Sequence, residues 1–265
     1  MTSKMLTTLS NEQYHAESLH MSSSNLKTLL KDPQEFYKTK ILGQREERKE
    51  SSAFVEGSFL HSLILEPELV LEQYHLFPGL NRRGPEWTKF EEEHQDHKPI
   101  LTMAQQLRVK GWVDQYNKHK TAVSLVEGAS YEQSLFTNLN GVNIKVRADI
   151  INPEKGYIAD LKTTSGGIEL EFFKESMDRW GYGLSAALYV KCFEQYYKRP
   201  FDFYFVVLGK KDLGCEVYKL SQTTRELGEL EIQKAISIYK RCLASGDWTT
   251  KPKYVSMELD EVQEV

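Results

Sequence analysis

The chain has 265 residues and a mass of 30.7 kDa, with 40% hydrophobic and 27% charged residues. This is enough for one large folded domain with a substantial core, and it excludes an intrinsically disordered chain. The net charge of −4 excludes a protein that binds nucleic acid through overall positive charge, so a nucleic-acid site would need basic residues segregated into a channel.

Cysteine usage and hydropathy limit the cellular compartments in which the protein is expected. Cys192, Cys215 and Cys242 are widely spaced and odd in number, which argues against a zinc site or a disulfide framework. The first eight residues lack an apolar signal segment, and the longest apolar run, residues 203–208, is too short to cross a bilayer. We therefore expect a cytoplasmic protein with no membrane partner.

In the first half of the chain, helices dominate the predicted elements. Residues 22–25 are an N-cap signal for a helix that ends near Asp32-Pro33, and residues 44–52 lack aliphatic side chains and predict a mobile loop. Residues 54–65 have helical spacing and place His61 on a helix; a lone histidine there is more often a core residue than a ligand. Residues 79–99 are polar and predict either a DNA-end contact or a surface lid, and a helix is expected over residues 102–126.

A β-hairpin is predicted from residue 142 to residue 164. Apolar residues alternate with polar ones from Val142 to Ile150, which puts Asp149 on the polar face, and residues 152–156 supply a turn. In the second arm Asp160 and Lys162 share a face, about 6.5 Å apart at roughly 3.3 Å of rise per residue. Two carboxylates on neighbouring strands suit a hard divalent cation, and a lysine beside them suits the charge that develops during phosphodiester hydrolysis. A solvated cross-strand ion pair explains the same pattern, so the residues alone leave both readings open.

The remaining elements complete a mixed α/β pattern. We expect a strand at residues 131–137 before the hairpin; Glu132 on it is either a further acidic contributor or, the stronger reading, a solvated strand residue. Helices at 168–177 and 182–197, strands at 201–208 and 215–220 and a helix at 223–244 follow. The order of helix, three strands, helix and two strands predicts a restriction-endonuclease-like core, a mixed sheet flanked by helices. We expect a single domain over residues 1–265, with a helical part to about residue 128 and the core at about 129–250.

Seven segments carry a family resemblance, in this order along the chain: residues 11–16, 21–26, 32–33, 56–67, 81–83, 147–149 and 160–164. They resemble the nuclease domain of the RecE-type exodeoxyribonucleases, or exonuclease eight. That family belongs to the PD-(D/E)xK nucleases, together with lambda exonuclease and the RecB nuclease domain. An ordered set is far more specific than any one of these motifs. The resemblance implies a phage-type recombination enzyme that needs Mg²⁺, for which Mn²⁺ can substitute. It would degrade linear double-stranded DNA from 5′ ends, as a homo-oligomeric ring working with a single-strand annealing protein.

The resemblance also implies roles for individual residues. His61, Asp149 and Asp160 match metal ligands, and Lys162 matches the catalytic lysine, with Asp149, Asp160 and Tyr189 also in the catalytic set. Arg82 and Arg83 match a DNA-binding segment. Tyr182 and Ser185, on the helix that faces the hairpin, are also expected to bind DNA. Ser185 departs from the family, which has glutamine four residues before the tyrosine. Serine is too short for the same reach, so we expect a variant active enzyme that positions substrate or water differently.

Further positive charge near the N-terminus comes from Lys27, Lys31, Lys38 and Lys40, for which a solvated helix face is the favoured reading. Two alternatives to the exonuclease stay open. One is a nuclease-fold module that binds DNA or a partner without efficient cutting; the other is an endonuclease of the same fold, since the chemistry is identical and only the channel enforces a free end.

Overall fold

A six-stranded mixed sheet forms the centre of the computed structural model, which describes residues 5–44, 51–96, 98–210 and 214–249. The strand order is β1-β4-β5-β6-β7-β8, and β2 pairs with β3 in a separate two-stranded sheet. The bounds are β1 Met5–Thr8, β2 His75–Phe77, β3 Ile100–Thr102, β4 Ser130–Leu139, β5 Val142–Asn152, β6 Tyr157–Thr164, β7 Asp202–Gly209 and β8 Cys215–Lys219.

Helices flank the sheet on both faces. They are α1 Asn11–Ala16, α2 Ser23–Lys31, α3 Pro33–Phe36, α4 Ser52–Leu65, α5 Val70–Gln73, α6 Pro85–Glu93, α7 Met103–Lys118, α8 Lys120–Ser124, α9 Leu170–Trp180, α10 Tyr182–Tyr197 and α11 Gln222–Ser245. A π-helical turn, Tyr37–Ile41, follows α3, and a 3₁₀ turn, Pro67–Leu69, precedes α5. None of the helices in these described ranges combines the length and apolar composition needed to cross a membrane.

This architecture confirms the predicted α/β core of a mixed sheet flanked by helices. The hairpin, the helix carrying His61 and the elements after residue 164 all form within a few residues of the predicted bounds. The expected helix at 102–126 was wrong in one respect, because it is divided into α7 and α8 at His119. His119 has an extended backbone and its Nδ1 accepts a hydrogen bond from Ala122 N at 3.1 Å, so its side chain caps α8.

Three short strands, β1, β2 and β3, were not expected from the sequence. Most of the expected mobile loop, residues 45–50, lies outside the described residues. The division of the chain near residue 128 stays a prediction.

Two hydrophobic clusters lie on the two faces of the sheet. The first packs the sheet against α2, α10 and α11, and the second packs it against α4 and α7. In β5 the side chains of Val146 and Ala148 belong to the first cluster, but Ile150 belongs to the second. The period-two alternation therefore changes face at Asp149, whereas the sequence pattern had placed Ile150 on the same face as Ala148.

The neighbouring strand β4 changes face at the matching position. Tyr131 packs against the second cluster and Leu135 lies in the first. The register is the same on both sides of the change, with Tyr131 opposite Ile150 and Gln133 opposite Ala148. Glu132 of β4 and Asp149 of β5 therefore lie opposite each other, at the position where both strands change face.

Candidate active site

The ladder between β5 and β6 opens where the predicted carboxylates begin. It contains three residue pairs and ends at Ile150↔Ala159. Continued pairing would set Asp149 opposite Asp160; instead the Asp149 carboxylate Oδ2 accepts a hydrogen bond from the backbone N–H of Leu161 at 2.9 Å. A side-chain oxygen takes the place of a strand carbonyl, so the two strands separate and leave space between their acidic side chains.

Glu132 enters this space from β4. Its backbone has φ 49°, in the left-handed region that costs a non-glycine residue about 1–3 kcal/mol. Its side chain is half-buried, and Oε2 lies 2.9 Å from Nε of Arg147. The reading of Glu132 as a solvated strand residue was wrong. The alternating sequence of β4 does not indicate the left-handed backbone of Glu132. This conformation arises where β4 and β5 change face at the same register position.

His61 faces the same space from α4. Its Nε2 lies 3.1 Å from the Leu161 carbonyl oxygen, and its Nδ1 lies 3.5 Å from Asp149 Oδ2. In the neutral imidazole the N–H is on Nε2, where the carbonyl accepts it, so Nδ1 presents a lone pair towards a carboxylate. Two lone-pair atoms facing each other are unfavourable unless a cation lies between them or the ring is protonated. A metal-binding histidine usually coordinates the metal through one ring nitrogen and donates the N–H of the other to a carbonyl or carboxylate.

A group of three potential ligands results from these positions. One donor atom each from His61, Glu132 and Asp149 lie within 4.8 Å of one another. Ligands on opposite sides of a Mg²⁺ ion are about 4.2 Å apart, given metal–oxygen distances of about 2.1 Å, so small side-chain shifts would close the group around an ion. The donor set of two carboxylates and one imidazole fits a divalent cation such as Mg²⁺ or Mn²⁺.

Asp160 lies beside this group and is held by a different partner. Its carboxylate is buried and forms an ion pair with the Lys162 ammonium, which also lies 5.2 Å from the centre of the Tyr182 ring. The sequence had grouped Asp160 with His61 and Asp149 as ligands, whereas the group found in the described residues has Glu132 as its third member. Asp160 as a ligand stays a prediction.

Negative charge is concentrated in the site. Burial, followed by repulsion from Asp149, raises the pKa of Glu132 to about 8, although Arg147 opposes the rise. Burial also raises the pKa of Asp160 to about 6, with Lys162 opposing and Asp149 adding to the rise. Burial alone would lower the pKa of Lys162, but the Asp160 and Asp149 carboxylates raise it overall, so the lysine remains charged. A bound divalent cation would relieve this crowding of carboxylates.

The site opens into a cleft of about 450 Å³ between the sheet and the N-terminal segment. Asp149, Asp160, Lys162 and Tyr189 line it, together with residues 14–18 and 22–25. The phenol of Tyr189 is neutral at ordinary pH, because burial raises its pKa well above the usual value. Tyr189 is therefore available in the cleft as a hydrogen-bonding group.

The predicted DNA-binding residues divide between two places. Tyr182 and Ser185 lie on α10 near Lys162, and Ser185 Oγ accepts a hydrogen bond from Lys27 Nζ at 3.1 Å. Arg82 lies in a second groove of about 310 Å³, where it donates to the Ile100 carbonyl oxygen at 2.8 Å and stacks on Trp87. Its neighbour Arg83 is exposed.

The four N-terminal lysines differ in their surroundings. Lys31 and Lys38 are exposed, as a solvated face requires, but Lys40 donates to the carbonyl oxygens of Ser18 and His20. Lys27 is half-buried and reaches α10, so the solvated reading was wrong for it.

Comparison with known proteins supports the fold. A candidate exonuclease from Eubacterium rectale has a similar structure, with a TM-score of 0.64 and 18% sequence identity over 94% of this chain and 97% of that one. Weaker similarities are to a phage-related exonuclease from Haemophilus somnus 129PT (TM-score 0.37, 13% identity, 89% of this chain and 100% of that one) and to the protein SSO0001 (TM-score 0.31, 15% identity, 74% and 88%). No curated protein matches the sequence.

At such low identity the Eubacterium rectale structure supports the fold alone. The family assignment comes from the sequence, because the model of the family described as a PDDEXK-like domain of unknown function, DUF3799, matches residues 22–256. With its mixed six-stranded sheet and the carboxylate-bearing strands β5 and β6, the chain belongs to this PDDEXK-like family.

Proposed function

We propose that this protein is a Mg²⁺-dependent exodeoxyribonuclease of the RecE type, which degrades linear double-stranded DNA from 5′ ends and leaves 3′ single strands for recombination. The observation that carries the proposal is the placement of His61, Glu132 and Asp149 as a ligand group directly beside the Asp160–Lys162 pair. Asp149, Asp160 and Lys162 line the same cleft. The RecE type, the 5′ polarity, a ring-shaped assembly and an annealing partner rest on the sequence resemblance.

The residues of the candidate site have separable roles in this proposal. His61, Glu132 and Asp149 would hold the cation, and Asp160 completes the acidic surroundings. The cation would supply activation of water and neutralisation of phosphate charge. Lys162 stays protonated beside Asp160, and its N–H groups are suited to orienting the water or stabilising charge on the phosphate. The neutral phenol of Tyr189 would donate a hydrogen bond to the substrate.

A linear and a covalently closed circular duplex of the same sequence separate the proposal from its alternatives. We expect Mg²⁺ or Mn²⁺ to support digestion of the linear duplex only, with a 5′ label released before a 3′ label. Ca²⁺ should allow binding without turnover, since its longer and more variable coordination misplaces the water. Chelator should abolish cleavage.

Other results of this assay would contradict the proposal, each in a different way. Cutting of the closed circle would assign an endonuclease of the same fold. DNA binding without cleavage under any of the metal conditions would assign a binding module, and full activity in chelator would exclude the metal mechanism. Lys162→Ala, assayed beside the wild type, controls for contaminating nuclease.

A further inference from the structure

Lys27 connects the N-terminal helix α2 to the junction of α9 and α10. Its ammonium donates hydrogen bonds to the Trp180 carbonyl oxygen at 2.9 Å and to Ser185 Oγ at 3.1 Å. The side chain passes over Gly181, where an added Cβ would lie 2.7 Å from Lys27 Cδ and where φ is +60°. Glycine is thus favoured at this position both by the backbone conformation and by the passage of the lysine.

The Lys27 ammonium lies on the side of α10 that faces the catalytic lysine. Tyr182 and Ser185 are three residues apart, so they are neighbours on one face of the helix. Lys162 Nζ lies over the Tyr182 ring and Lys27 Nζ binds Ser185. Two lysines from distant parts of the chain therefore approach adjacent residues of this helix face.

The surroundings of Lys27 leave its charge without a counter-ion. Both of its acceptors are neutral oxygens, and within the described ranges no carboxylate lies within 4.0 Å of Nζ. Of its three N–H donors, the third has no acceptor among the same residues. Burial lowers the pKa of Lys27, and the charge of Lys162 lowers it further, against a smaller rise from Asp160. A half-buried cation next to a second cation is a favourable environment for an anion.

We propose that Lys27, which lies two residues beyond the cleft-lining Asn25, is a phosphate-binding residue beside the active-site cleft. It would contact a backbone phosphate of the nucleic-acid strand next to the phosphate that faces Lys162. The inference rests on the proposed function, because it takes the Lys162 cleft as the place of cleavage. A purely structural anchor would need only neutral hydrogen bonds to Trp180 and Ser185, and it would not need an uncompensated charge. The unpaired charge is what points to an anionic ligand.

The test measures binding of an end-labelled linear duplex in Ca²⁺ over a range of salt concentrations. Lys27→Met keeps most of the side-chain stem over Gly181 and removes the charge. We expect it to weaken binding about tenfold at low salt, as for the loss of one charged hydrogen bond, and to lower the slope of log affinity against log salt by about 0.9. Lys27→Arg should keep the wild-type slope. Lys31→Met, on the exposed side of the same helix, should leave affinity and slope unchanged.

Three outcomes are distinguishable. A reduced slope for Lys27→Met alone supports the phosphate contact. A lower melting temperature with an unchanged slope would show that Lys27 is an anchor only, and it would overturn the inference while leaving the proposed function intact. If the wild type binds no DNA, both the proposed function and the inference are wrong.

Discussion

The two edges of strand β6 have opposite characters. Towards β7 every residue from Tyr157 to Thr164 is paired in a continuous parallel ladder, which ends at Thr164↔Gly209. Towards β5 the ladder holds for three pairs and then opens at the carboxylates. Along the β7 edge, backbone hydrogen bonds hold the strand in place. Along the β5 edge, a hydrogen bond to the Asp149 side chain replaces them beyond the third pair.

The difference indicates how the site is held open. Separating two strands exposes backbone N–H and C=O groups that need new partners. Asp149 Oδ2 accepts a hydrogen bond from the Leu161 N–H, and His61 Nε2 donates one to the Leu161 carbonyl oxygen. Both backbone polar groups of Leu161 are therefore hydrogen-bonded although the strands diverge. The intact ladder to β7 fixes the position of Asp160 and Lys162 during this divergence. The open edge is expected to carry the chemistry and the closed edge the stability.

The largest effect should come from the open edge. Asp160→Asn and Lys162→Ala should each reduce the cleavage rate by about 10²-fold or more, because each removes a charged group beside the reacting phosphate. Steady-state rates on linear duplex measure the loss, and binding in Ca²⁺ shows that substrate affinity is largely kept. Lys155→Ala, at the exposed turn of the same hairpin, is the matched control and should leave the rate unchanged. Substantial residual turnover in either variant would remove that residue from the catalytic set.

His61 tests the side-chain contacts that replace the ladder. His61→Ala should weaken Mn²⁺ binding by about 10–100-fold and lower activity with it, since a nitrogen ligand favours Mn²⁺ over Mg²⁺. Calorimetric titration with Mn²⁺, beside melting curves in chelator, measures both properties. A destabilised variant with unaltered Mn²⁺ affinity would make His61 a core histidine. His75→Ala, in the separate sheet of β2 and β3, serves as the control.

The metal-free protein should lose stability as the pH rises. Unfolded carboxylates ionise near pH 4, whereas Asp160 and Glu132 keep their protons in the fold up to a pKa of about 6 and about 8. The folded state therefore binds more protons between about pH 4 and pH 8, and the free energy of unfolding falls across that range.

Melting temperatures in chelator at a series of pH values measure this fall, and saturating Mg²⁺ should flatten it. Glu132→Gln cannot ionise at this position and should show a weaker pH dependence in chelator. Equal pH dependence in the variant and the wild type would contradict the assignment of the effect to Glu132.

The smallest effect should come from the first part of β6, where the strand is paired with both β5 and β7. Ile158 is fully buried between Ile151 and Phe203, and Ile158→Val should lower the free energy of unfolding by about 0.5–1.5 kcal/mol. Denaturant unfolding measures this loss. The cleavage rate of the folded variant should not change; a large drop would mean that the closed edge also tunes the site.

Local patterns in the sequence were sufficient for most elements of the fold. The alternation in β5 up to Ala148, the turn before Gly156 and the N-cap at Ser22 depend on neighbouring residues only, and each formed as expected. The antiparallel hairpin also placed Asp149 near Asp160 and Lys162, because a tight turn fixes which residues of two arms lie together. The sequence therefore determined the α/β core and the acidic hairpin at the centre of the candidate site.

Tertiary structure alone decided the rest of the site. The left-handed backbone of Glu132 and the change of face at Asp149 arise from two strands twisting over at one register position, which no single-strand pattern reports. Lys27 meets Ser185 across 158 residues of sequence, and it does so only because α2 packs against α10. Contacts between distant segments depend on packing rather than on local propensity. For that reason Glu132, the third candidate ligand, and the position of Lys27 were visible only in the folded chain.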